Sequence, residues 1–386
     1  MTSLLALNAG SSSLKFALYN SDGLAELARG KIEEVGPDVH LIIHGADGAV
    51  LNERRWEGRC HEDVLPDLLE WVEFYPQAGD LAAAGHRVVH GGARFTQPVL
   101  LDTETIIALE ELSPLAILHQ PQALRPIAAL KRLRPGLQQV ACFDTAFHHT
   151  LAPAARRIAL PRALEEQGVR KYGFHGLSYD YIAGRLHEVA PELARGRVIA
   201  AHLGSGASLC AMRDGKSVDT TMGFSPLEGL VMATRPGSLD AGVLLYLLDQ
   251  GWTAKQLQDL LYHRSGLLGV SGLSGDMRTL EESSDAHAGE AIDLFVFRLN
   301  QAIGAMAASL CGVDGIVFTG GIGENSAAIR KMACEQAAWL GLKLDEAANA
   351  TGTGRISLPD SRVAAWVIPT DEELVIARQT ASLLRV

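Results

Sequence analysis

Residues 4–7 form a short apolar run that stops at Asn8 and Gly10, and after three serines Leu14, Phe16 and Leu18 alternate with other residues. A run, a glycine-containing turn and an alternation of period two predict strand, tight turn, strand. The same succession returns at residues 197–212, where an apolar run reaches His202-Leu203-Gly204-Ser205-Gly206-Ala207-Ser208-Leu209 and then alternates again. Aligned without gaps, Ser13-Leu14 falls on Ser208-Leu209. A match this short also arises by chance, but it is what a duplicated domain with one hairpin per half would leave.

Between the two hairpins, residues 140–143 predict a buried strand that ends on Asp144, and residues 177–190 have helical periodicity. Residues 315–319 predict another strand, running into Gly320-Gly321-Ile322-Gly323-Glu324-Asn325 before a helix from about residue 326 to 340. Strand, glycines, then helix is a geometry that binds anions through backbone amides. The polar stretch 281–290 reads as a surface loop or the start of a helix. Strands alternating with helices give an α/β class.

Composition adds scale and excludes partners. A chain of 386 residues with 47% apolar content has room for two domains, with a cleft expected between them. The net charge of -11 argues against a nucleic acid or an anionic membrane as partner, since both need a surplus of Lys and Arg on one face. The apolar stretch 302–318 is broken by Gly312, Asp314 and Gly315, and the opening run has no basic segment ahead of it, so a soluble, cytoplasmic chain is expected. Cys60, Cys142, Cys210, Cys311 and Cys334 lie far apart without a Cys-x-x-Cys pair and read as reduced core thiols.

Candidate chemistry begins at Asn8-Ala9-Gly10-Ser11-Ser12-Ser13-Leu14-Lys15, where a glycine and three hydroxyls share a turn and one ammonium follows. Phosphate oxygens need such donors, and Gly10 lets the backbone approach. A serine-rich hairpin with no ligand is the alternative for this segment alone, and the P-loop spacing is absent. Arg87, in Gly85-His86-Arg87-Val88-Val89-His90-Gly91-Gly92, and Arg235, after Gly223-Phe224-Ser225-Pro226, sit among apolar residues and glycines. A guanidinium in that setting needs an anion, either a protein carboxylate or a bound carboxylate or phosphate. His175, framed by Lys171-Tyr172-Gly173-Phe174 and Gly176, can donate to developing negative charge. His86, His90, His148, His149 and His263 read as packing or surface residues. Asp144 and Glu372 are candidate magnesium partners, directly or through water.

Taken together these segments resemble the acetate kinase family over residues 8–378. The match rests on Asn-x-Gly-Ser-Ser-Ser-Leu-Lys, the block from Met222 to Arg235, Phe143-Asp144-Thr145-Ala146-Phe147-His148, Lys171 to Gly176, and Gly320 to Asn325, in that family's order. The resemblance implies two duplicated ribonuclease-H-like domains of the actin-like ATPase fold, residues 1–147 completed by a helix at 373–386, and residues 148–372. It implies reversible Mg²⁺-dependent transfer between ATP and acetate, giving acetyl phosphate and ADP, with Mn²⁺ as an alternative metal and a homodimer as the assembly. It implies Asn8 and Glu372 at the metal, Asp144 orienting substrate or metal, Arg87 and Arg235 on the carboxylate and the moving phosphoryl group, and His175 bonding that group. Val89, Leu118, Phe174 and Pro226 would enclose the acetate methyl. Ser11, Ser13 and Lys15 would face phosphoryl groups, and His202, Gly204, Ser205, Gly206, Asp276, Met277, Arg278, Gly321, Ile322 and Asn325 would line the ADP site.

Ser205 stands where the family usually has Asn, Asp371 where it usually has Asn, and Pro236-Gly237-Ser238-Leu239-Asp240-Ala241 lacks the commoner pattern. Competing readings are a propionate or butyrate kinase and a nucleotide-driven switch on the same scaffold.

Overall fold

The hairpin periodicity carries into three dimensions in a computed structural model that describes residues 2–10, 13–35, 38–58, 61–116 and 119–385. The chain divides into two compact units, Met1–Phe147 with Asp371–Val386, and His148–Thr370. In the first, β1 (Thr2–Ala9), β2 (Ser13–Asn20), β3 (Glu26–Val35), β4 (Asp38–Gly45), β5 (Val50–Glu57), β6 (Asp80–Val88), β7 (Val99–Leu100) and β8 (Gln138–Phe143) form one sheet in the order β5-β4-β3-β2-β1-β6-β8-β7. In the second, β9 (Arg197–Leu203), β10 (Ala207–Arg213), β11 (Lys216–Thr220), β12 (Gly315–Thr319), β13 (Gly354–Arg355) and β14 (Ala364–Val367) are ordered β11-β10-β9-β12-β14-β13.

The duplication is in the topology. Strands β3-β2-β1 and β11-β10-β9 are antiparallel, and each set continues into two parallel strands, β6-β8 and β12-β14. This is the ribonuclease-H-like order, made twice. Its parallel steps require crossover segments, which the helices of each unit supply. The echo between the hairpins has a different register from the gap-free alignment: Ala9 pairs with Leu14, whereas Leu203 pairs with Ala207, so the first turn is one residue longer.

Alternation on β1 positions the first group of candidate residues. Leu5, Leu7 and Ala9 join Phe16, Leu18 and Ala84 in a core shared with Leu65, Leu68, Leu69 and Leu130, from the helices Leu65–Phe74 and Gln120–Leu133. Ala6 points the other way beside its partner Gly85, where an added Cβ would collide with Thr380 and Ile376 of the helix Glu372–Leu384. Two residues further on, the period of two puts Asn8 and Arg87 on that same face, near the start of that helix. The boundary expected from the sequence left Asp371 and Glu372 with the second domain. They belong to the first unit, because Glu372 opens the helix and Asp371 caps it, its side chain accepting from the Leu374 amide at 2.9 Å.

In the second unit the glycine segment after β12 is itself a helix, Gly320–Asn325, followed directly by Ala327–Gln336, so helical structure starts earlier than the expected residue 326. Gly320 makes the turn with φ 77°, and its amide donates to Glu324 Oε1 at 2.8 Å, which closes the short helix on its own first residue. The 24-residue helix Ala286–Ser309 is apolar and long enough to cross a bilayer, but Phe295, Val296, Leu299 and Ile303 are buried, and it packs on β10.

Candidate active site

Arg87 is the centre of the first unit's polar cluster. Its Nε donates to Asp144 Oδ1 and Oδ2 at 3.1 and 3.0 Å, its Nη2 to Oδ2 at 2.6 Å, and its Nη1 to Asn8 Oδ1 at 3.2 Å. Asp144 sits just past β8 and is 1% exposed, while the arginine side chain is 18% exposed. Burial works against the guanidinium charge, but Asp144, Glu372 and Glu373 outweigh it and hold the pKa above its usual value. Asp144 thus anchors Arg87. A bidentate side-on pair uses Nε and one Nη2 hydrogen, and Asn8 takes one Nη1 hydrogen. One hydrogen on each Nη remains for a carboxylate or phosphoryl oxygen.

Asn8 lies between the arginine and two acids. Its Nδ2 donates to Glu372 Oε2 at 2.9 Å and to Glu373 Oε1 at 2.8 Å. Its own oxygen accepts from Arg87 and keeps a second lone pair, so that oxygen and those of the glutamates are the candidate metal ligands. Glu373 was not singled out from the sequence. Burial first, and then the charge of Glu372, raise its carboxyl pKa, while the Asn8 bond and Lys15 oppose that shift. Two crowded carboxylates fit a hard divalent cation, whose charge relieves the repulsion. Mg²⁺ keeps several waters and substrate phosphates as ligands, so one or two protein carboxylates are enough to hold it. Asp371, the departure beside these acids, accepts from Arg29 Nη2 at 3.2 Å and from the Tyr19 hydroxyl at 3.4 Å, so its added charge is partly balanced.

Across the β1–β2 ladder Lys15 is the partner of Asn8, and the period of two puts Ser13 on the same face. Gly10 closes the turn, its amide donating to the Ser13 carbonyl at 2.8 Å. Ser11 and Leu118 lie outside the described residues. Val89 is buried in the first unit, and Phe174 and Pro226 are buried in the second.

In the second unit His175 occupies a left-handed conformation, φ 58°, at the start of the helix Gly176–Val189. A non-glycine residue there carries about 1–3 kcal/mol of strain, which persists where surrounding contacts over-determine it. His175 Nδ1 is 2.9 Å from Ser208 Oγ, and its ring stacks on His202 at 4.2 Å with the planes 25° apart. His202 Nδ1 is in turn 2.8 Å from Ser178 Oγ. Arg235 donates from Nη1 to the Pro226 carbonyl at 2.8 Å. Both candidate side chains close on one glycine: a Cβ at Gly206 would lie 2.8 Å from Arg235 Nη2 and 3.3 Å from His175 Nε2.

The turn that holds Gly206 also approaches the glycine helix. A Cβ on Gly204 would lie 3.8 Å from the Gly321 amide nitrogen, and the Ser205 carbonyl accepts from the Ala233 amide at 3.0 Å. Ser205 therefore serves this turn through its backbone, with its side chain exposed. Asn325 Nδ2 donates to the Gly321 carbonyl at 2.9 Å, and Ile322 is half-buried beside it. Asp276 caps the helix Met277–Glu281 by accepting from the Thr279 amide at 2.9 Å, a bond that lowers its pKa. Arg278 is exposed, but Met277 is 4% exposed, so its side chain belongs to the core and only its backbone could serve a ligand.

Anchored guanidinium groups, an oriented imidazole and glycine turns at the ends of duplicated ribonuclease-H-like sheets define a phosphotransferase of the actin-like class. The chain belongs to the acetokinase family, whose model matches residues 3–378. It is 54% identical over 384 residues to the acetate kinase of Rhodopseudomonas palustris strain TIE-1, covering 97% of this chain and 96% of that one. Among solved structures, a propionate kinase from Francisella tularensis superposes with a TM-score of 0.92 at 36% identity, covering 98% of this chain and 99% of the other. Porphyromonas gingivalis acetate kinase superposes with a TM-score of 0.87 at 37% identity, with both chains fully covered.

Proposed function

We propose that this chain is an acetate kinase, an ATP:acetate phosphotransferase that runs reversibly. The observation that carries this reading is the anchored Arg87, held side-on by Asp144 with one hydrogen on each Nη remaining for an anion. An ATP-driven switch has no use for such a group beside its phosphate turn.

Acetate is already an anion at neutral pH, so no general base is needed. One carboxylate oxygen bonds to the γ-phosphorus as the bond to the ADP oxygen breaks, in line, and no proton changes hands. Catalysis then reduces to alignment and to balancing charge on the phosphoryl oxygens. Arg87 and Arg235 grip the carboxylate and the transferred group, and His175 donates to it from Nε2. Val89 of the first unit and Phe174 and Pro226 of the second are the buried apolar candidates for contact with the methyl. In the first unit Lys15 and Ser13 are the candidate phosphate donors, and in the second His202, the turn at residues 204–206, Asp276, Arg278, Gly321, Ile322 and Asn325 are the candidate nucleotide contacts. Mg²⁺, held by Glu372 and Glu373 with Asn8 beside them, would supply charge neutralisation on the phosphate oxygens.

Propionate is the second reading, supported by the likeness to the Francisella propionate kinase. One methylene is worth about 1–3 kcal/mol of discrimination, so some propionate turnover accompanies acetate turnover. We also propose a homodimer: the helix Ala241–Asp249 exposes Val243, Leu245, Tyr246 and Leu248, an apolar face suited to a second copy. Cytoplasmic residence fits the free, buried thiols of Cys142, Cys210 and Cys334, whereas Cys311, also expected in the core, is exposed and Cys60 lies outside the described residues. A hydroxamate assay with MgATP and acetate, propionate or butyrate tests the substrate. Acetate is expected to have the highest kcat/KM, and no acyl phosphate from any of the three would sink the reading.

A further inference from the structure

Behind His175 a line of polar groups runs into the core of the second unit. Ser208, fully buried on β10, lies 2.9 Å from His175 Nδ1 and 2.5 Å from the hydroxyl of Tyr179, which is also fully buried. Local structure accounts for the triangle. His175 begins the helix Gly176–Val189, Tyr179 lies four residues on and so on the same face one turn along, and β10 brings Ser208 between them. The Tyr179 amide donates to the His175 carbonyl at 3.0 Å, which fixes that first turn.

Atom positions leave the direction of these hydrogen bonds open, and burial favours one of the two. Burial raises the Tyr179 pKa well above its ordinary value, so the phenol keeps its proton. A buried O–H needs an acceptor, and Ser208 Oγ is in reach. A serine that accepts from the phenol turns its own hydrogen toward His175 Nδ1, which then accepts. The imidazole proton is left on Nε2, the nitrogen that shares the space above Gly206 with Arg235 Nη2.

We propose that Tyr179 and Ser208 are positioning residues for His175, holding it as the neutral tautomer with its proton on Nε2. A neutral donor there can bond a phosphoryl oxygen without placing a second positive charge against Arg235 or against the stacked ring of His202. The use made of this tautomer rests on the phosphoryl-transfer reading, whereas the relay itself rests on the hydrogen bonds.

Long-range ¹H–¹⁵N correlation spectra of the full-length protein near neutral pH test the relay, with His175 assigned by comparison with His175→Gln. The expected native pattern is a pyrrole-type Nε2 and a pyridine-type Nδ1. In Tyr179→Phe, which removes only the hydroxyl, the two nitrogens should become more alike. The kcat for acyl phosphate should fall roughly 10- to 100-fold, by analogy with loss of the partner that orients a metal-ligating histidine, with KM for ATP unchanged. A native His175 protonated on Nδ1 or on both nitrogens would overturn the proposal, as would a Tyr179→Phe protein with native kcat. The native spectrum needs no variant fold and no turnover. The expected tautomer in a protein that makes no acyl phosphate would therefore refute the kinase reading and leave the relay intact.

Discussion

Arg87 rests side-on against Asp144, with Nε 3.1 and 3.0 Å from the two carboxylate oxygens and Nη2 2.6 Å from Oδ2. Asparagine at residue 144 would keep one acceptor and lose the charge, so the fork of Arg87 would no longer be held in plane. Steady-state kinetics on Asp144→Asn should show kcat reduced roughly 10- to 100-fold with little change in KM for ATP. Arg87→Ala leaves the buried acid without its cation and should also destabilise the fold by about 3–5 kcal/mol in urea melts. A native kcat in Asp144→Asn would separate the acid from the reaction.

Gly206→Ala tests the convergence on the second hairpin turn. The new methyl would stand 2.8 Å from Arg235 Nη2 and 3.3 Å from His175 Nε2, the far ends of two side chains that can shift. Stability should therefore change by under about 1 kcal/mol, the scale of ordinary surface substitutions. The same displacement should lower kcat at least tenfold, since misplacement by about an ångström can reduce rate about 100-fold. Unchanged turnover, with the melting temperature also unchanged, would mean that neither side chain acts at this turn.

Glu373 carries a sign that can be checked. Its pKa is raised in the folded chain, by burial and then by Glu372, so its stabilising contribution is present below the unfolded pKa and is lost as pH rises through the folded value. At neutral pH without divalent ions, Glu373→Gln should melt slightly higher than the native protein. Mg²⁺ should then raise Tm less in the variant than in the native chain, because a metal-facing carboxylate is gone. An equal Mg²⁺ response in both would remove Glu373 from the metal site.

His148 predicts an acid-side loss of stability. Burial lowers its pKa from 6.5 to about 4, against the pull of the Phe174 carbonyl that accepts its Nε2 hydrogen. A depressed value means that the contribution is complete above 6.5 and is lost as pH falls toward 4, by roughly 3 kcal/mol over the whole window. Denaturant melts of His148→Gln should start from a lower stability at neutral pH and fall less steeply between those limits. A parallel decline in both proteins would place the titration elsewhere.

What the sequence disclosed was mostly local. The hairpin at Asn8 and the strand ending on Asp144 were legible because apolar runs and glycine turns announce themselves over a few residues. The setting of His175 was legible through its flanking glycines. The pairing of Arg87 with Asp144 joins residues far apart in the chain, and no periodicity reports it. Glu373 was missed because adjacent glutamates look equivalent until the helix phase turns both toward Asn8. The edge strand Val50–Glu57 was missed for a different reason: its residues are exposed or half-buried, so it has no apolar face to read. The helix expected from about residue 326 begins already at Gly320, where the Glu324 carboxylate closes on the Gly320 amide.

Following the γ-phosphoryl group of ATP by ³¹P NMR, with Mg²⁺ and acetate present, tests the central claim most directly. The γ resonance should disappear as ADP and acetyl phosphate grow together in equal amounts, and adding acetyl phosphate to ADP should regenerate ATP. Release of inorganic phosphate alone, with acetate unchanged, would contradict the account and make the chain an ATPase.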